Sequence, residues 1–227
     1  MPLPIIPIAV GAAAALVGGV SYLLTRDSGG NKGGGKGKKR KKTILEKNFK
    51  HLRKALENEK NDKNRKTIAI IGQPGSGKSS LLQAMTDGKC KPLPKIGQQA
   101  DATHWHKELT WSFFTSYKDY IFVDIPGYDT KKHPTRAYLK HFPFTRFVDI
   151  LLVLNAKVHE SDEKIFKKID KLHGWDTAKK VFVIRNFSET LSEEDKEAIR
   201  GDYDKRFDLR AKTMKVIFSS ARTREGI

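Results

Sequence analysis

The feature that most narrows the folds open to this chain is the run "GQPGSGKS", residues 72–79, set between "KTIAII" and "SLLQAM". Its spacing is G-x-x-x-x-G-K-S, and a strand before with a helix after is the context in which that pattern cradles phosphate. Glycine lets the backbone curl so that successive N–H groups point inward as a nest for anionic oxygens. The nest would comprise Gly72, Gln73, Pro74, Gly75, Ser76 and Gly77. The helix that follows, opening on Lys78, Ser79 and Ser80, adds the partial positive charge of its N-terminus. Lys78 is placed to reach the β- and γ-phosphates, and the Ser79 hydroxyl to ligate Mg²⁺. A tight turn with an incidental Lys and Ser is the plainer alternative, set aside because the flanking elements match on both sides. The run predicts a nucleoside triphosphate site.

The remainder keeps to the same alternation. Strands are expected at 67–71, 105–114, 120–124, 147–154, 181–184 and 216–219, with helices at 79–87, 161–172 and 192–207. A loop rich in Lys, Pro and Gln fills 88–102, and 115–119 reads as a turn. This pattern predicts an α/β fold, a mainly parallel sheet flanked by helices, over residues 66–227. Ahead of it, in the segment 43–65, residues 43–60 read as an amphipathic helix with Leu45, Phe49, Leu52 and Leu56 on one stripe. In such folds a final helix follows the last strand, whereas this sequence closes on "SSARTREGI". The helix at 43–60 is expected to cover the flank of the sheet that the final helix would occupy, with a partner subunit or a truncated chain as the alternatives.

Residues 1–25 carry no charged side chain, and 5–24 are 20 residues, enough for a helix to cross a hydrocarbon core. A cleaved signal peptide would have a basic start, and a buried soluble helix is rarely apolar on every face. A transmembrane anchor is the expectation. The net charge of +18 is concentrated just beyond it, with 16 Lys and Arg against 5 Asp and Glu across residues 26–66. The Gly/Lys-rich linker at 26–42 would hold to anionic lipid headgroups and keep the following domain cytosolic. A nucleic-acid tail is the rival explanation; the adjoining apolar span favours membrane lipids, and no nucleic-acid partner is expected. The single cysteine, Cys90, excludes an internal disulfide, and neither it nor the seven histidines show a metal-ligand spacing.

"DIPG", residues 124–127, ends the strand "YIFV" 46 residues after Lys78. A D-x-x-G there matches the second switch of GTP-binding proteins: Asp124 would hold Mg²⁺ through water and the Gly127 N–H would contact the γ-phosphate. Thr103, between the two motifs, is the candidate Mg²⁺ ligand of the first switch, with Thr110 as the alternative. Base recognition is usually N-K-x-D after a buried strand. Here "VFVIRN" leads into N-F-S-E, so Asn186 stands in place, Glu189 would supply the carboxylate and Phe187 would stack on the base. After the last strand, Ser219, Ser220, Ala221 and Arg222 match an S-A-K-like loop whose N–H meets the guanine oxygen.

On these motifs residues 66–227 resemble a GTPase domain of the translation-factor-related class. "GQPGSGKSSLLQAM", "DIPGYDT", "AYLKHFPFTRFVDILLVL" and "VFVIRN" are similar to the immunity-related, interferon-inducible GTPases and their bacterial-type relatives. The resemblance implies Mg²⁺-dependent binding and hydrolysis of GTP, with GDP as the other bound form, and dimerisation through the domain at a membrane. Lys78, Thr103 and Gly127 would carry the reaction. The residue after D-x-x-G, often glutamine in small GTPases, is Tyr128, which cannot orient water in the same way, so slow intrinsic turnover is expected. No arginine is assigned as a finger; Arg136 and Arg146 are candidates only by their nearness to the second switch. An ATPase of the same fold and a GTP-loaded scaffold that scarcely turns over are the competing readings.

Overall fold

The strand "KTIAII" can only sit inside a sheet, since each residue from Thr67 to Ile71 is buried and a strand apolar on both faces needs a layer over each. The computed structural model describes residues 42–59, 65–94, 96, 105 and 114–227. In chain order these form α1 (Ile44–Glu59), β1 (Lys66–Ile71), α2 (Lys78–Met85), β2 (Thr115–Tyr117), β3 (Tyr120–Asp124), α3 (Thr135–His141), β4 (Asp149–Leu154), α4 (Glu160–His173), α5 (Thr177–Lys180), β5 (Val181–Arg185), α6 (Glu193–Phe207) and β6 (Val216–Phe218). The sheet runs β2-β3-β1-β4-β5-β6. All neighbours are parallel except β2 and β3, which form a hairpin pairing Tyr117 with Tyr120. The α/β expectation therefore holds, with helices on both faces.

Register places the site. Ile70 of β1 pairs with Asp124 of β3, and Leu154 of β4 with Arg185 of β5. The segments leaving β1, β3 and β5 thus emerge side by side at the carboxyl edge of the sheet, where ligands of open α/β sheets bind.

Alternation along the strands divides the core in two. Ala69, Ile71, Ile150, Leu152 and Val183 face one way, packed under Ile165 and Phe166 of α4 and Tyr203 and Phe207 of α6. Ile68, Ile70, Leu151, Val153 and Ile184 face the other, packed under Leu81 and Leu82 of α2.

The stripe Leu45, Phe49, Leu52 and Leu56 of α1 is buried as its spacing implies, but on the α4 side. The expectation that α1 covers the flank of a terminal helix is thereby corrected. Phe49 meets Tyr138 at 5.0 Å, Phe142 at 5.5 Å and Trp105 at 5.9 Å, edge to face in each case. Such aromatic contacts stabilise beyond the area they bury. The α2 side keeps an apolar hollow lined by Ile68, Met85, Leu151, Phe182, Ile184 and Ile217.

Two further differences are local. Residues 115–119 are not all turn: Thr115–Tyr117 pair with β3, and only Lys118 and Asp119 turn, Lys118 at φ 50°. The strand expected from 147 begins at Asp149, because Phe147 leaves the sheet line to stack on Phe142 at 5.5 Å. The expected span at 5–24, the basic run at 32–41, Thr103 and Thr110 lie outside the described residues. Among the described residues no helix is long and apolar enough to cross a membrane.

Candidate functional site

The phosphate end is built from backbone. Gly75 and Gly77 take φ of 76° and 80°, left-handed values that strain any other residue. Gly77 has a second constraint: a Cβ there would overlap the amide of Asn186 and come within 2.9 Å of the Phe187 ring. The curl buries Ser76, whose hydroxyl has no hydrogen-bond partner among the described residues. An inward-turned, unsatisfied polar atom in a glycine nest is what an anionic ligand would complete. Lys78 is buried, and its ammonium donates to the Gln73 carbonyl at 2.8 Å. Burial lowers its pKa to about 8, although the negative charges of Asp124 and Asp162 oppose the shift. Ser80 follows, half-buried on the first turn of α2.

Asp124 ends β3 beside this loop, and its carboxylate accepts the Ser79 hydroxyl at 2.5 Å. One hydroxyl oxygen and one carboxylate oxygen in contact are a hard donor pair of the kind Mg²⁺ takes while keeping water and phosphate oxygens as its other ligands. The site fits the ion. Gly127 lies against Pro74 so closely that a Cβ would overlap the proline ring. Its backbone is therefore in close contact with the phosphate loop.

The base end is side-chain work. Asn186, fully buried, donates from its amide to the Ser76 carbonyl at 2.9 Å and accepts from the Ser219 hydroxyl at 3.4 Å. It ties the two loops together. Phe187, held at φ 59°, is partly exposed, placed where a flat base could lie on it. Glu189 is held below the usual carboxylate range by its own N–H and by the Ser220 hydroxyl, with Arg222 and Arg185 adding charge. Its Oε2 is shielded from solvent and has no hydrogen-bond partner among the described residues. Ser220 accepts from the N–H groups of Arg222 and Thr223 at 3.2 and 3.1 Å, which shapes the turn carrying Ala221.

Of the two arginines singled out, Arg146 pairs with Glu57 at 3.1 Å, and its carbonyl accepts from Thr67 at the opening of β1. That is the end of the sheet away from the phosphate loop, so Arg146 is not brought to the site. Arg136 lines a cavity with Thr43, Leu45, Lys132 and Lys140.

A buried polar group beside the site was not anticipated. The Tyr128 hydroxyl donates to Asp162 at 2.5 Å, and the Gln73 amide donates to the same carboxylate at 3.1 Å and to Ser161 at 3.0 Å. Burial drives the Tyr128 phenol well above its ordinary pKa, and the charge of Asp162 adds to the rise. The only sequence signal was the acidic start of α4, which reads as an ordinary helix cap.

The family described as 50S ribosome-binding GTPase matches residues 67–187. No curated protein matches the chain. Among solved structures, the G domain of the T. maritima FeoB iron transporter is similar at 22% identity and TM-score 0.42, covering 71% of this chain and 91% of that one. A probable GTP-binding protein engB is similar at 16% identity and TM-score 0.49, covering 70% and 91%. Toc33 from Arabidopsis thaliana is similar at 15% identity and TM-score 0.44, covering 78% and 77%.

Proposed function

Because the chain belongs to the family of 50S ribosome-binding GTPases and carries a P-loop G domain that binds GTP, we propose that it is a membrane-anchored, Mg²⁺-dependent switch whose own hydrolysis of GTP is slow. The observation that carries the nucleotide reading is convergence. The glycine nest, the Ser79–Asp124 oxygen pair and the Asn186 amide meet at one edge of the sheet although 110 positions separate Ser76 from Asn186. Slow turnover rests on Tyr128, whose hydroxyl is engaged by Asp162 inside the core and so leaves no side chain at that place to orient water.

The anchor reading rests on the uncharged run at 5–24 and the lysines after it. Association of two G domains and a place near the immunity-related GTPases belong to the same proposal, supported by the motifs alone. The test isolates the full chain from cells, identifies the bound nucleotide and competes labelled GTP with ATP. Guanine nucleotide on the protein and GTP outcompeting ATP are the expected results. Carbonate-resistant pelleting that disappears when residues 1–25 are deleted supports the anchor; a soluble full-length protein overturns it. A scaffold that holds GTP without turning it over is the second reading, favoured by the same Tyr128. Absence of phosphate release in a single turnover would select it.

A further inference from the structure

We propose that Asp162, in the first turn of α4, is a positioning residue for GTP hydrolysis, fastening the phosphate loop and the D-x-x-G segment to one helix end. The inference rests on the reading that this site hydrolyses GTP. Asp162 is buried, and its two carboxylate oxygens are divided among three donors. One accepts the Tyr128 hydroxyl at 2.5 Å. The other accepts the Gln73 amide at 3.1 Å and the His159 N–H at 2.8 Å.

Capping α4 requires only the His159 contact. The remaining two reach 89 positions back to the phosphate loop and 34 back to the residue after D-x-x-G. A parallel limb runs through Ser161, which accepts from Gln73 at 3.0 Å and donates to Asp129 at 3.0 Å. Gln73 and Tyr128–Asp129 are therefore each bound twice over to the same turn of α4. Between them, Gly127 lies directly on Pro74.

Phosphoryl transfer depends on holding groups in place and stabilising charge more than on proton transfer by the protein. Strand pairing of β1 with β3 reaches Asp124, and the Ile125 N–H still bonds the Ile70 carbonyl; beyond that point the phosphate loop and Tyr128 are tied together by the Asp162 carboxylate, beside the Ser161 limb. The carboxylate acts through Gln73 and Tyr128 and touches no phosphate itself. Tyr128 thus holds the segment instead of acting on water, which gives the departure from glutamine a role.

The experiment uses the full chain with Asp162→Asn, Tyr128→Phe and the double variant. Three quantities are read: affinity for a fluorescent GTP analogue, single-turnover phosphate release, and amide hydrogen exchange of the nucleotide-bound protein. Affinity is read at pH 7 or below, so that Lys78 stays charged without the support of the Asp162 carboxylate, and should fall less than phosphate release, which a lost buried hydrogen bond slows roughly tenfold. Tyr128→Phe removes one of the three bonds that the Asp162 carboxylate accepts, so if the two residues act as one unit the double variant should be no slower than the slower single one. Exchange should rise together at residues 73–76 and 127–129. Multiplying effects in the double variant, or an exchange increase confined to α4, would overturn the proposal and leave a plain helix cap. If the parent releases no phosphate, the hydrolysis reading fails by itself and the exchange pattern decides this proposal alone. Should Asp162→Asn fail to fold, Tyr128→Phe and Gln73→Ala carry the same exchange test, because the first frees the D-x-x-G side from Asp162, the second frees the phosphate loop from Asp162 and Ser161, and both spare the cap.

Discussion

The two ends of the nucleotide site are made of different materials. The phosphate end is backbone: left-handed glycines, N–H groups and the start of α2, with Lys78 drawn in against its solvation. The base end is side chains: the Asn186 amide, the Phe187 ring and the Glu189 carboxylate, all borne on the turn between β5 and α6. A backbone nest tolerates almost no change in sequence, because its geometry needs glycine. A side-chain reader tolerates substitution as long as an acceptor arrives at the same place. That difference explains why the phosphate motif is complete here while the base motif has drifted to N-F-S-E.

The largest expected effect lies at the phosphate end. Lys78→Ala or Ser79→Asn should lower triphosphate affinity by about a hundredfold or more, since each removes a charged or metal-bound contact in a desolvated place. Titration with a fluorescent GTP analogue measures it, with an unchanged melting curve as the control; undiminished affinity would remove the site assignment.

Gly77→Ala tests whether the two ends are one unit. Its Cβ would displace the Asn186 amide and press on Phe187, at a φ of 80°. Strain of roughly 1–3 kcal/mol should weaken GTP and ATP alike by about tenfold or more. A loss confined to GTP would mean that the base end moves independently.

Glu189→Ala should act on the base end only. Leaving a guanine N–H without its acceptor costs roughly 1–3 kcal/mol, so the preference for GTP over ATP should fall several-fold while ATP affinity holds. Parallel competition titrations measure the ratio, and an unchanged ratio would assign the base reading elsewhere.

The smallest effect is a pH dependence. The folded pKa of Lys78, about 8, lies below its ordinary 10.5, so the unfolded chain keeps the proton to higher pH. Between those values unfolding takes up a proton, and the contribution of Lys78 to stability without nucleotide rises with pH. GTP binding, which uses the charged amine, weakens across the same window, by at most about tenfold per pH unit. Affinity measured from pH 7.5 to 9 against Lys78→Arg should show the slope in the parent alone, since arginine stays charged throughout, as is roughly true at any working pH.

Most of the sheet was legible because its strands are short apolar runs with glycine or polar punctuation. β3 begins and ends where the run "YIFVD" does, and α6 opens on Ser192, whose hydroxyl accepts the Asp195 N–H at 3.1 Å in a capping box. The helix α3 was not legible. Its seven residues lie between Pro134 and Pro143, too few to show a period, and Tyr138 holds it by packing on Tyr128 and bonding the Pro126 carbonyl at 2.6 Å. β2 was read as turn because three residues carry no alternation; its pairing with β3 alone makes it a strand.

The sequence by itself determined the phosphate loop and its neighbours, because glycine geometry and strand-to-helix context are local and their chemistry is written in consecutive residues. It also determined that the stripe of α1 must be buried. The tertiary structure alone decided on which face α1 lies, since a stripe has no preference until a matching surface is present, and the aromatic one formed by Tyr138, Phe142 and Trp105 is assembled from two segments distant in the sequence. It alone decided that Tyr128 turns from the phosphates to Asp162. A hydrogen bond across 34 positions depends on where the chain returns, and no local pattern records that.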